Sequence, residues 1–275
     1  MTQTRTIDFG TGKIGGGGAL AFIAGLCVIE TLERTLAIAR RLRDICEAAR
    51  APFIFKASYD KANRTSHESY RGPGLVAGLE VLARVKEELG VAVLTDVHRF
   101  EEIAPAAEVA DVLQVPAFLC RQTDFVRDVA RAARAVNLKK GQFLAPWDME
   151  HVVAKARAAG NENLILTERG ATFGYNNLVA DMRSLVVMRR LGYPVVFDAT
   201  HSVQLPGGQG QASSGQREFV LPLARAAAAV GVDGIFAEVH DAPKRALSDG
   251  PNSLTPEQFE TLVRETQRIT VAVRS

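Results

Sequence analysis

The chain has 275 residues, 47% of them apolar and 23% charged, with 33 Lys and Arg against 31 Asp and Glu and a formal net charge of +2. This is ordinary globular composition, long enough to bury a large core in one domain or two small ones, and too nearly neutral to make nucleic acid or an acidic membrane the principal partner. Three cysteines, Cys27, Cys46 and Cys120, cannot all pair and are too sparse for a disulfide-stapled secreted domain, so a reducing cytoplasm is expected.

Residues 1–20 read as a leader ending in four glycines, Gly15 to Gly18. The run lacks the Lys-Ser/Thr of a phosphate-binding loop and the spacing of a dinucleotide fingerprint, which leaves a turn or short hairpin capping the following domain, residues 21–275. The first β-rich run, Phe22–Ile29, lies in the longest apolar stretch, Ala19 to Ile29. That stretch is about half the ~20 residues of a bilayer span, Gly25 breaks it and Glu30 follows directly, so the chain reads as soluble and unprocessed. A helical pattern follows over Thr31–Ala49, with Leu32, Leu36, Ala39, Leu42 and Cys46 on one face and Arg34, Arg41 and Arg43 opposite. Seven more β-rich runs come in turn: Phe53–Ser58, Val91–His98, Asp111–Ala117, Ala135–Lys140, Leu164–Gly170, Pro194–His201 and Gly234–His240. Each is nearly all apolar, as strands covered on both faces are. Eight strand-helix alternations predict a closed parallel (β/α)₈ TIM barrel, with a doubly wound open sheet as the alternative. Two stretches rich in Gly, Pro, Ser and Gln, Ser202–Arg217 and Asp241–Pro256, follow the last two strands and are expected to be mobile loops over a site.

Polar residues gather where the strands end: Cys27, Lys56 and Ser58, Asp96 and His98, Gln114, Lys139, Arg169, Asp198 and His201, Glu238 and His240. In a parallel barrel these ends share one mouth, and side chains two apart share a face. Lys56, Lys61, Arg64, Arg121, Lys139, Lys140 and Arg169 would repel one another there unless an anion were bound, so a polyanionic ligand is expected. Cys27, His201 and Glu238 close strands one, seven and eight, neighbours in a closed barrel, and offer a mixed donor set suited to Zn²⁺, Fe²⁺ or Mn²⁺, with Asp249 as a fourth donor. The alternative for Cys27 is a small core residue. Cys46 and Cys120 read as packing, His67 and His151 as exposed, and Trp147 as a loop anchor.

The runs FKASYDKANRTS (Phe55 to Ser66), SYRGPG (Ser69 to Gly74), TDVH (Thr95 to His98), PAFLCRQTD (Pro116 to Asp124), KKGQFLAPWD (Lys139 to Asp148), TERGATFGYNNLV (Thr167 to Val179), DATHSVQLPGG (Asp198 to Gly208) and LSDGPN (Leu247 to Asn252) closely resemble the 3-deoxy-D-manno-octulosonate 8-phosphate synthases, in order and over nearly the whole chain from Phe22. The sister seven-carbon synthases, which use erythrose 4-phosphate, typically carry Lys-Pro-Arg-Thr where this chain has Lys61-Ala62-Asn63-Arg64. The resemblance implies condensation of phosphoenolpyruvate with D-arabinose 5-phosphate and water, a step of lipopolysaccharide biosynthesis. It assigns Lys56, Lys61, Gln114, Lys139 and Arg169 to phosphoenolpyruvate, and Asn63, Arg64 and Thr65 to the pentose phosphate. Arg121 is expected to reach the pentose phosphate of a neighbouring subunit, which implies a homotetramer. His98 and Lys61 are expected near the reacting carbons as candidate proton carriers. Cys at the end of the first strand marks the metal-dependent branch, which implies Cys27, His201, Glu238 and Asp249 as ligands. Two departures stand out: Leu26 where a Pro usually precedes the Cys, which should loosen the strand end, and Thr65 for the usual Ser. A non-enzymatic sugar-phosphate-binding barrel is the remaining alternative.

Overall fold

The computed structural model describes residues 3–64, 66–206 and 214–274. Two short strands, β1 (Thr6–Asp8) and β2 (Lys13–Gly15), pair as an antiparallel hairpin. The order is then β3 (Ala21–Gly25), α1 (Leu32–Ala48), β4 (Phe53–Lys56), α2 (Leu75–Leu89), β5 (Ala92–Asp96), α3 (Phe100–Val109), β6 (Val112–Val115), α4 (Thr123–Ala132), β7 (Ala135–Lys139), α5 (Met149–Ala158) and β8 (Leu164–Glu168). A small hairpin, β9 (Ala171–Thr172) with β10 (Leu178–Val179), precedes α6 (Met182–Arg189), β11 (Val195–Asp198), α7 (Val220–Val230), β12 (Gly234–Glu238) and α8 (Pro256–Arg274). The eight strands β3 to β8, β11 and β12 are all parallel and close into a barrel, sealed by five residue pairs between β12 and β3. The fold is the expected (β/α)₈ TIM barrel, and each predicted run coincides with one stave, β3 starting one residue earlier at Ala21.

Two apolar clusters explain why the staves read as continuous hydrophobic runs. Phe22, Ala24, Phe53, Phe55, Val93, Leu113, Val136, Leu138, Leu166, Val195, Phe197 and Ile235 face the helices. The intervening Ala21, Ile23, Ile54, Ala92, Leu94, Val112, Ala135, Ile165, Val196 and Phe236 fill the interior together with Ile7, Phe9 and Ile14 of the leading hairpin. Period-two alternation is present, but both faces are buried and so both are apolar. The helices supply the outer coat by the same logic. Thr31 caps α1 by accepting a hydrogen bond from the Arg34 N–H (3.2 Å), and Ile38, Ala39, Leu42, Ile45 and Cys46 then fall on its buried face.

The interior changes character along each stave. Above Ile54 comes Lys56, above Leu94 Asp96, above Val112 Gln114, above Ala135 first Asn137 and then Lys139, above Val196 Asp198 and above Phe236 Glu238; all seven are buried. These upper residues are held in place by the pairing beneath them. A Cβ on Gly25 would lie 2.0 Å from the Lys56 carbonyl oxygen, so only glycine allows β3 to approach β4 this closely just before Cys27. Leu26 does not leave the strand end loose. It is fully buried in the helix-facing core, and Val28 pairs with Ser58 beyond it.

Candidate active site

A pocket opens at the carboxyl end of the barrel, lined by Lys56, Lys61, Asn63, Asp96, His98, Gln114, Lys139, Gln142, Arg169 and His201, with Pro116, Ala117 and Phe118 at one wall. Beside it, the donor atoms of Cys27, Glu238 and Asp249 all lie within 4.8 Å of one another, as a shared metal ion would require. Cys27 Sγ is 3.1 Å from Asp249 Oδ2 and 3.1 Å from Ser248 Oγ. His201 Nε2 is 3.3 Å from Glu238 Oε1, while its Nδ1 lies 2.8 Å from Asp198 Oδ2. The Asp198 carboxylate beside Nδ1 turns Nε2 toward Glu238, the usual orientation behind a ligating imidazole.

Burial, reinforced by Asp249 and Glu238, pushes the Cys27 thiol well above the ordinary thiol range, with Lys61 and Lys56 pulling the other way. Burial alone would protonate Glu238, but His201, Lys56 and Lys61 outweigh it and hold the carboxyl well below the usual range. Anionic Glu238 beside the Cys27 sulfur, the Asp249 carboxyl and the His201 Nε2 is a donor set that fits a divalent ion.

The cations are less exposed to one another than the sequence suggests. Lys56 Nζ lies 3.4 Å and Lys61 Nζ 3.9 Å from Glu238 Oε1. Lys139 Nζ hydrogen-bonds Asp198 and lies 4.0 Å from the centre of the Phe236 ring. The expectation that so many positive groups need a bound anion to coexist is therefore corrected, because interior carboxylates balance them. What points to an anion is spare donor capacity. Arg169 Nη1 is buried with no hydrogen-bond partner among the described residues. The Gln114 carbonyl accepts from Asn137 Nδ2 (2.9 Å), and the Asn137 carbonyl in turn accepts from the Thr167 hydroxyl (2.6 Å), an order that leaves the Gln114 amide nitrogen for the pocket.

Desolvation lowers the affinity of Lys139 for its proton despite Asp198, and Lys56 and Arg169 act in the same direction. For Lys61 the desolvation is overcome by Cys27, Glu238, Asp96 and Asp249, and its pKa is raised. His98 Nε2 sits 3.0 Å from Asp96 Oδ2. Burial opposes the charge on His98, but that carboxylate raises its pKa, while the imidazole, Lys61 and Lys56 hold buried Asp96 well below the ordinary carboxylate range.

Of the predicted site residues, Lys56, Lys61, Asn63, His98, Gln114, Lys139, Arg169 and His201 line one pocket, with Cys27, Glu238 and Asp249 adjoining it. Arg64 places two of its five N–H donors on the Ser248 hydroxyl (2.6 Å) and the Leu247 carbonyl (3.4 Å), next to the thiol cluster. Arg121 is exposed and outside the pocket lining. Thr65, and Gly207 and Gly208 of the QLPGG run, lie outside the described residues.

Four expectations are corrected here. His240 does not share the mouth with Glu238: β12 ends at Glu238, Val239 pairs with Leu254, and the imidazole turns to Glu30 Oε1 (3.2 Å). Lys140 lies behind the wall, 3.4 Å from Glu168 Oε1 and bonded to the Leu144 carbonyl, because it alternates with inward Lys139. Trp147 is 65% exposed, so its ring is not the buried anchor expected. In the segment Asp241–Pro256, Ser248, Asp249, Asn252 and Ser253 are buried, so its centre is packed rather than free.

Sequence reading gave no role to Asp198, which orients His201 and pairs Lys139, to Asn137, which orients Gln114, or to Gln204. The Gln204 carbonyl accepts from Arg169 Nη2 (2.6 Å), and its amide donates to Asp249 Oδ1 (3.0 Å). The strand-end position of Asp198 was a signal; Asn137 and Gln204 gave none that composition or spacing could separate from neighbouring polar residues.

Residues 3–275 match the model of the DAHP synthetase I family. The chain also aligns over 272 residues, 99% of its length and 100% of each relative, with proteins named 2-dehydro-3-deoxyphosphooctonate aldolase. Those of Trichlorobacter lovleyi, Geobacter sulfurreducens and Pelobacter propionicus are 61%, 60% and 62% identical to it. Among the described residues, no helix is long and apolar enough to cross a membrane.

Proposed function

We infer that this chain, which belongs to the DAHP synthetase I family, condenses phosphoenolpyruvate with D-arabinose 5-phosphate and water to 3-deoxy-D-manno-octulosonate 8-phosphate and inorganic phosphate. The product serves lipopolysaccharide synthesis. The observation that carries the reading is the meeting of Lys56, Lys61, Lys139, Arg169, Gln114 and His98 around one pocket beside the Cys27, Glu238 and Asp249 donor set. The seven-carbon alternative is set aside, because the relatives named above bear the eight-carbon name along their whole length.

Lys56, Lys61, Lys139 and Arg169 hold the carboxylate and phosphate of phosphoenolpyruvate, with the Gln114 amide donating alongside. Each such charge-assisted hydrogen bond contributes about 1.5–3 kcal/mol. Asn63 at the lip meets the pentose hydroxyls, and Arg64 with Thr65 takes the pentose phosphate. Arg121 serves the pentose site of a neighbouring copy in a homotetramer.

Carbon 3 of phosphoenolpyruvate forms a bond to the aldehyde carbon, leaving carbon 2 electron-poor. Water adds there, and the bond from carbon 2 to the bridging oxygen breaks as phosphate leaves. His98, kept basic by Asp96, and Lys61 are the groups placed to move protons. Cys27, His201, Glu238 and Asp249 would hold a divalent ion, Zn²⁺, Fe²⁺ or Mn²⁺, which when bound polarises the pentose carbonyl. The chain's own walls position both substrates and exclude bulk water.

Phosphate release is measured from phosphoenolpyruvate with arabinose 5-phosphate or erythrose 4-phosphate, with and without chelator. Turnover with the pentose and little with the tetrose is expected. Faster turnover of the tetrose would replace this reading by the seven-carbon one, and binding of both phosphates without release would replace it by a sensor. If oxygen-18 in the bridging position stayed on the pyruvyl carbon, the cleavage step would be wrong.

A further inference from the structure

Gln204 stands between two groups of opposite charge that serve different ligands. It closes the short helical turn His201–Val203 and pairs with Gly215, and the chain on either side is pinned by hydrogen bonds from Leu205 N–H to the Ser214 carbonyl (2.9 Å) and from Gln216 N–H to the Val203 carbonyl (3.0 Å). Its amide has one possible orientation. Arg169 can only donate, so it takes Oε1; Asp249, as a carboxylate, can only accept, so it takes Nε2. The division leaves each partner with one end turned away from Gln204. Arg169 keeps Nη1, buried and unpartnered among the described residues, and Asp249 keeps Oδ2, which faces the Cys27 sulfur at 3.1 Å.

We propose that Gln204 is a positioning residue that works as a neutral spacer, holding Arg169 toward the anion pocket and Asp249 toward the thiol while preventing the two from pairing with each other. The proposal rests on the functional reading above. A buried arginine and aspartate held at opposite ends of one amide attract each other and would close toward a direct ion pair if nothing filled the gap. That pair would withdraw Arg169 from phosphoenolpyruvate and Asp249 from the cation together. A residue that merely packed the loop would affect neither ligand through the other's partner.

The test uses Gln204→Ala. Phosphoenolpyruvate binding is measured by calorimetry on chelated protein, and Cd²⁺ binding by the ultraviolet absorption of the Cys27 thiolate-metal bond, with melting temperature as the control for folding. Both affinities are expected to fall about tenfold or more, the usual effect of losing a partner behind a metal ligand. In Gln204→Ala with Asp249→Asn, the neutral amide no longer captures Arg169, and phosphoenolpyruvate affinity should return to within about threefold of the parent. If the alanine variant melts early, Gln204→Met carries the same comparison, with weakened binding restored by Asp249→Asn. Parental affinity for either ligand in the single variant, or no recovery in the double variant, would overturn the spacer role. A parent protein that binds neither phosphoenolpyruvate nor Cd²⁺ would instead overturn the underlying functional reading.

Discussion

The two ends of the barrel are built from the same staves and the same inward-facing positions, yet they carry opposite chemistry. At the amino end Ala21, Ala92, Val112 and Ala135 meet Ile7, Phe9 and Ile14 of the leading hairpin in a sealed apolar plug. Two to four residues above the inward apolar positions Ile54, Ala92, Val112, Ala135, Val196 and Phe236, the strands present Lys56, Asp96, Gln114, Lys139, Asp198 and Glu238, buried but charged or polar. The contrast shows where the cost of function sits. The lower half gains stability from area removed from water, while the upper half spends stability on desolvated charges held in mutual balance.

The sharpest way to break the comparison is to remove the cation donors. Cys27→Ala, or treatment of the parent with chelator, should lower phosphate release about 1000-fold if bound metal supplies several kcal/mol to the reaction, with little change in the plug. Cys27→Asn should keep part of the activity and ignore chelator. A chelated parent that remained fully active would refute the ligand assignment. Next in size is Lys139→Met. It strips buried Asp198 of one cationic partner, so urea denaturation should show a loss of about 3–5 kcal/mol, together with loss of turnover. Phe9→Ala attacks the other end. It should cost roughly 3–4 kcal/mol by the same measurement, while kcat of the folded fraction stays parental; a changed kcat would mean that the two ends are coupled.

The smallest effect separates the ends by pH. The folded-state pKa of His98 is raised by Asp96 against the pull of burial. Its contribution to stability is therefore complete below the unfolded value near 6.5 and is lost as pH rises through the higher folded value. Asp96 is depressed, so its contribution is complete above the unfolded carboxylate value and is lost as pH falls through the lower folded one. Denaturation midpoints should fall on the alkaline side of neutrality in the parent, and His98→Gln should flatten that limb. An identical alkaline limb in the variant would show that the His98–Asp96 pair does not bear on stability.

The same contrast explains what could be read from sequence. The staves were legible because they are apolar on both faces, and the mouth because Cys27, Lys56, Lys139, Arg169 and Glu238 break that pattern at strand ends. His240 and Lys140 were misplaced because period-two counting holds only inside a strand: β12 stops at Glu238, and Lys140 is one residue out of phase with Lys139. Asn137 and Gln204 escaped notice for a different reason. Their roles depend on which way an amide is turned, and that is decided by Thr167, Gln114, Arg169 and Asp249, residues brought close only by the fold. The mutual balance of lysines and carboxylates was hidden for the same cause.

The seam between β12 and β3 joins the last stave to the first, and Cys27 accordingly waits 222 residues for Asp249. On the ribosome the sulfur emerges early, but its carboxylate partners are among the last segments made. Until then a growing chain exposes the bare edge of β3, a template for stray pairing that only the arrival of residues 234–238 removes. The proposed donor set therefore exists only in finished rings, and a chain stalled before its final stave would lack Glu238 and Asp249 beside Cys27.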